Sequence, residues 1–203
     1  MQTRYVLFGF LTIMAGMIGF ALLFPEGFIA FLKHPAVHSH ARFLHIAAVT
    51  LFFANAVVGI LWERLSLASA NKEVILHTYQ TVTFLDSRLS SPLIILSVLA
   101  GLSLNYSIGN LWDIGWLSVS FLLFLLSGVL WIIGDIPGQY KIKRMISTLE
   151  TGDQALPAEL MHLLRRRCWI SMAGVLPLAI VYVLMVYKPE VTPVAEWLRW
   201  LKI

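Results

Sequence analysis

Between His45 and Trp62 the chain runs for eighteen residues, HIAAVTLFFANAVVGILW, without a single formal charge. Wound as an α-helix at about 1.5 Å per residue, such a run nearly crosses the ~30 Å hydrocarbon core of a bilayer. Its polar exceptions fall into step. At about 100° per residue, His45, Ala48, Phe52, Asn55, Gly59 and Trp62 share one face. An imidazole and a carboxamide are costly against acyl chains, so this stripe is expected to look into a helix bundle.

The rest of the chain repeats the theme. Of 203 residues, 59% are hydrophobic and only 13% charged, against nearer 25% charged in soluble domains. No polar stretch is long enough to build a second core, so residues 1–203 read as one integral membrane domain. Apolar runs predict spans at about 5–24, 42–62, 82–105, 114–134 and 169–187. The fold class is therefore all-α, a polytopic membrane bundle of five transmembrane helices: a four-helix core plus an extra N-terminal span. A signal peptide competes for residues 5–24. The single Arg4, the long core and the following Phe24-Pro25-Glu26 favour a retained helix, packed through Gly9, Thr12, Gly16 and Gly19.

Between the spans the reading is coarser. Residues 25–41 predict a short interfacial segment before Pro35, and the third helix is under way by Asn71 with a kink at Pro92. PAELMHLLRRR after Pro157 and the tail at 193–203 have the spacing of amphipathic surface helices. Lys141, Lys143, Arg144 and Arg165 to Arg167 mark the connector between the fourth and fifth spans as cytoplasmic rather than as a nucleic-acid site. That puts the N-terminus inside and the C-terminus outside an inner membrane. Glu63 and Asp135 read as solvated rim charges. The lone Cys168 excludes an internal disulfide and a multi-cysteine metal site.

Few residues carry chemistry. Tyr79, Thr83, Asp86, Ser90, Ser97 and Gly101 make a second polar stripe on the third helix. His34, His38, His40 and His45 fall within twelve residues at the outward rim, where they are either interfacial polar groups or ligands for copper or zinc. His45, inside the span, is either a ligand or proton carrier, or an interhelical hydrogen bond. Asn55 either bonds a neighbouring helix or orients a ligand, and Trp62 either belongs to the interfacial belt or lines the same pocket. Asp86 is either a proton-transfer acid or the partner of Arg88 or Arg64. A second imidazole at the depth of His45 on another helix is missing, so a haem here would be five-coordinate, completed by a non-histidine ligand or by His38 or His40 folding back, or shared with another subunit.

The runs FLHIAAVTLFFANAVVGILWERL, TFLDSRLSSPLIILSVLAGL, LSGVLWIIGDIPGQ and LPLAIVYVLMVYKP, through His45, Asn55, Trp62, Asp86, Trp131, Lys188 and Pro189, resemble a bacterial family of predicted integral membrane proteins, the domain of unknown function 2269, over about residues 42–189. More distantly, a Phe-Leu-His opening on a four-helix membrane unit is similar to haem-containing membrane protoporphyrinogen oxidases and to copper-resistance membrane proteins. The former resemblance implies an iron ligand at His45. The expectations are then a haem-b, redox-type membrane protein with His45 as axial ligand, Asn55 and Trp62 in the pocket, and Asp86 and Arg88 serving proton transfer or propionate pairing. Metal handling through His34, His38 and His40 is the alternative, and a non-catalytic assembly subunit is the third. The lipid bilayer is the expected partner, and a homo-oligomer or a larger complex stays open.

Overall fold

The computed structural model describes residues 12 and 16, 23–148 and 156–200. Among these every regular element is helical: α1 (Pro25–Lys33), α2 (Pro35–Ala68), α3 (Lys72–Leu85), α4 (Ser91–Ile108), α5 (Gly115–Leu130), α6 (Ile136–Ser147), α7 (Ala158–Tyr187) and α8 (Val194–Trp200). Wide π-helical turns at Asp86–Ser90 and Trp131–Asp135 join α3 to α4 and α5 to α6 without a break. Four continuous helices are long and apolar enough to cross a membrane: Pro35–Ala68, Lys72–Tyr106, Gly115–Ser147 and Ala158–Tyr187. They hold the expected second to fifth spans. The expected first span, with its glycine face, lies outside the described residues except for Thr12, Gly16, Leu23 and Phe24.

Each crossing helix is longer than its apolar run. The 34 residues of α2 amount to roughly 50 Å of helix, more than a bilayer's hydrocarbon thickness. The sequence sets the ends locally. Pro35 disfavours helical geometry in the residue before it, and His34 sits at φ −62°, ψ 131°. The Asn71 side chain starts α3 by accepting the amide N–H of Glu73 at 3.0 Å and of Val74 at 3.2 Å. Lys188, at φ 46°, ends α7 in the left-handed conformation.

The two wide turns share a cause. Each is followed two residues later by a proline, Pro92 after Ser90 and Pro137 after Asp135. Proline gives no N–H to the carbonyl four residues back and its ring crowds that carbonyl. An extra residue in the preceding turn relieves the crowding and rotates the helix face. At the first turn the Asp86 carbonyl accepts both the Ser91 backbone N–H and, at 2.9 Å, the Ser91 hydroxyl.

The chain packs as two compact units. One comprises the described part of Met1–Asn55 with Phe84–Leu111, the other Ala56–Thr83 with the described part of Trp112–Ile203. In the first, α1 lies along α4, with Phe28 edge-on to Tyr106 at 6.3 Å. In the second, α5 and α7 approach through small residues, as membrane helices do. Ser118 and Ser127 are buried, and Ser127 Oγ donates to the Gly174 carbonyl at 2.7 Å. The amphipathic α6 buries Ile142 against Ile75, Tyr79, Leu160 and Leu164. It turns Lys141, Lys143 and Arg144 outward. The amphipathic segment after Pro157 is the first part of α7 itself rather than a separate helix.

The C-terminal segment docks on the start of α5. Val194 N–H donates to Ser118 Oγ at 3.2 Å and Ala195 N–H to the Trp112 carbonyl at 3.3 Å. Lys188 Nζ lies 5.5 Å from the Trp116 ring centroid. Gly115 is the keystone, because a Cβ there would stand 1.6 Å from the Val191 carbonyl oxygen. Gly115→Ala should therefore dislodge the segment, costing about 1–3 kcal/mol as overpacking does. Limited proteolysis of detergent-purified protein should then cut near Val191 faster than in the parent, and an unchanged cleavage rate would count against this docking.

Candidate functional site

The stripe on α2 meets its partners inside the first unit. His45 Nδ1 lies 2.7 Å from the Ser97 main-chain carbonyl. A carbonyl can only accept, so Nδ1 carries the proton, and in that tautomer of imidazole the lone pair is on Nε2. Gly101, one turn after Ser97, makes room for the ring: a Cβ at 101 would sit 3.0 Å from His45 Cε1 and 3.1 Å from Nδ1. Asn55 Nδ2 donates to Ser90 Oγ at 2.8 Å. Ser90 is the last residue of the first wide turn, so the bulge that Pro92 imposes also delivers this partner. Both bonds join the two stripes read from the sequence, His45 and Asn55 on one helix, Ser90 and Ser97 on the next.

The other expected site residues take no part in these two bonds. Trp62, half exposed, lines an open groove with Glu73, Val74, His77, Thr78 and Thr81. Arg88 is exposed, its guanidinium 5.5 Å from the centroid of Phe84 one turn away. Asp86 is half-buried and opens the wide turn. His34 and His40 are exposed, and His34 Nδ1 accepts the Ala36 amide N–H at 3.3 Å. His38 Nε2 lies 2.7 Å from Arg42 Nη2. A guanidinium only donates, so that imidazole nitrogen accepts from a cation. Among the described residues no three His, Cys, Asp or Glu side chains gather where they could hold a metal ion.

A stronger polar centre sits in the second unit, on residues the sequence reading set aside. Arg167, 4% exposed, donates through Nε to Asp135 Oδ1 at 3.0 Å and through Nη1 to Glu63 Oε1. Its guanidinium lies 5.2 Å from the centroid of the Tyr79 ring. Gln139 Nε2 donates to the other Asp135 oxygen, and the Tyr79 hydroxyl donates to the Gln139 carbonyl at 3.3 Å. Glu63 and Asp135 are 7% and 2% exposed, not solvated rim charges. They are buried because α3, α6 and the start of α7 cover the polar ends of the apolar runs. A signal for this existed in the chain. Leu160, Leu164 and Arg167 recur at i, i+4 and i+7, which places Arg167 on the buried stripe of α7.

The family model for a predicted integral membrane protein (DUF2269) matches residues 39–189. The chain belongs to that family. The match takes in all four described crossing helices almost whole, including both wide turns and the Arg167 cluster. None of the curated proteins and none of the solved structures matches the chain. Family membership thus gives the class of protein and leaves the chemistry to the residues.

Electrostatics predicts how the cluster responds to substitution. Leaving two buried carboxylates without their guanidinium costs about 3–5 kcal/mol, whereas replacing a whole buried ion network with apolar groups is often neutral. Arg167→Met should therefore lower the unfolding free energy by about 3–5 kcal/mol. A triple variant, Glu63→Met with Asp135→Leu and Arg167→Met, should recover most of that loss. Denaturant titration in detergent micelles measures both, and a triple variant as unstable as the single one would contradict the account.

Proposed function

We propose that this family member is a redox-type inner-membrane protein that holds a b-type haem through His45 Nε2. The observation that carries the reading is the bond from Nδ1–H to the Ser97 carbonyl. Ligating histidines characteristically give their second ring N–H to such an acceptor, which fixes the tautomer and orients the ring. His45 is half-buried within an apolar run, and Gly101 supplies the flat wall its imidazole lies against.

These residues would supply one histidine ligand to such a group. His38 and His40 share α2 with His45 and His34 lies just before that helix, so His45 is the one histidine within the apolar run that would hold the group. A bound b-type haem supplies one-electron exchange at iron. The protein's own contributions are then narrow. Ser97 and Gly101 hold the imidazole, and Asn55 with Ser90 ties the same two helices below it. Asp86 and Arg88 remain the candidates for proton transfer and carboxylate pairing toward the other end of these helices. The exposed Lys143, Arg144, Arg165 and Arg166 support a cytoplasmic α6–α7 connector.

An absorption spectrum tests this directly. Protein purified in detergent after haem supplementation should show a Soret band that His45→Ala abolishes. Gly101→Val, which intrudes on the ring without touching iron, should weaken or shift it. A colourless wild type, or an unaltered band in His45→Ala, would reduce the Ser97 bond to a structural tie between helices.

A further inference from the structure

The open groove around Trp62 lies within the second unit and takes no part in the haem reading. Six residues line it, Trp62, Glu73, Val74, His77, Thr78 and Thr81, around a volume of about 360 Å³. Trp62 ends the uncharged run of α2, and Glu63 and Arg64 follow it at once. The groove therefore opens where hydrocarbon gives way to headgroups. Leu61 and Val74 beside it are exposed, as side chains facing acyl tails would be.

The lining has a definite charge character. One of the six residues is an acid and none is a lysine or arginine, although the chain as a whole carries +4. Lys72 and Arg64 flank the groove on α3 and α2 without lining it, and Lys143, Arg144, Arg165 and Arg166 belong to α6 and α7. A headgroup with net negative charge would meet the Glu73 carboxylate, and none of the described lining residues is a lysine or arginine. A headgroup that ends in an ammonium would meet a carboxylate and an indole face, both of which attract it. The phosphate inside such a headgroup needs hydrogen-bond donors more than a full charge. The Thr78 and Thr81 hydroxyls and an N–H of His77 are the donors on offer.

The geometry points to the Trp62–Glu73–His77 groove as a site for an ethanolamine phospholipid headgroup, the ammonium on Glu73 and Trp62 and the phosphate on His77 and the threonine hydroxyls. This rests on the groove's lining and its depth, and stands whether or not His45 binds haem. The apolar tails would run along the exposed Leu61 and Val58 side of α2.

Native mass spectrometry of the full chain released from mixed nanodiscs tests the assignment, with equal phosphatidylethanolamine and phosphatidylglycerol. The wild type should retain phosphatidylethanolamine in preference to phosphatidylglycerol. Glu73→Gln and Trp62→Ala should each lower that preference about tenfold, the change expected for losing about 1.4 kcal/mol of selective attraction. Glu73→Gln is nearly isosteric and lies on an exposed first turn, so it keeps the test alive if Trp62→Ala folds poorly. Equal retention of the two lipids by the wild type would overturn the proposal. So would a preference for phosphatidylglycerol, or a preference unchanged in Glu73→Gln.

Discussion

A guanidinium withdrawn from water needs partners for its donors, and Arg167 finds them on helices that are remote in sequence. Its contacts with Glu63 and Asp135 span 104 and 32 residues. An isolated buried charge would be far too costly, so α2, the end of the second wide turn and α7 must converge at this point in their unit. The Tyr79 ring over the guanidinium adds α3 to the same junction. In a bilayer, where lipid tails are as apolar as leucine, hydrophobic burial gives weak orders about which helix meets which. Ionic and hydrogen-bonding partners give strict ones. The exposed pair Lys141–Glu159, at 2.6 Å, lies in water and gives no comparable order.

The wide turns show how backbone chemistry serves these contacts. Proline two residues downstream removes one N–H and crowds one carbonyl, and the helix answers by adding a residue to a turn. The last residue of each such turn makes a long-range contact: Ser90 with Asn55, and Asp135 with Arg167. An uninterrupted α-helix would rotate both side chains by the angle one added residue contributes. The prolines therefore act at a distance of two residues on which side chain faces inward. A kink at Pro92 follows from reading the sequence, but the change of face it produces does not.

That contrast describes what is legible in this chain and what is not. The crossing helices are readable because a run of apolar residues long enough for hydrocarbon has few other uses. The stripe His45–Asn55 is readable because two polar groups inside such a run must find partners, and helical spacing says they lie on one side. Both are half-buried and bonded to the neighbouring stripe, as that argument requires. Glu63, Asp135 and Arg167 mislead for a physical reason. Charges at the end of an apolar run are usually solvated, and whether extramembrane turns of other helices cover them depends on contacts between distant segments. The spacing of Leu160, Leu164 and Arg167 is the local trace of that burial. The groove at Trp62 leaves no such trace, because its walls come from both sides of the Ser69–Asn71 connection.

The degree to which polar atoms are satisfied separates the two centres by role. Asp135 has both carboxylate oxygens occupied, one by Arg167 Nε and one by Gln139 Nε2. Arg167 divides its donors between two carboxylates and lays its face on an aromatic ring. A network so filled has little left to offer a ligand, and its natural work is to hold helices together. His45 is arranged differently. One nitrogen is committed to a main-chain carbonyl, which no side-chain substitution can remove, and that commitment leaves a lone pair on the other. Structural economy alone would be met as well by a serine or an asparagine, as Asn55 and Ser90 show on the same pair of helices. An imidazole fixed in one tautomer beside a glycine adds to that tie a directed nitrogen lone pair, which is what the proposed haem ligation would use.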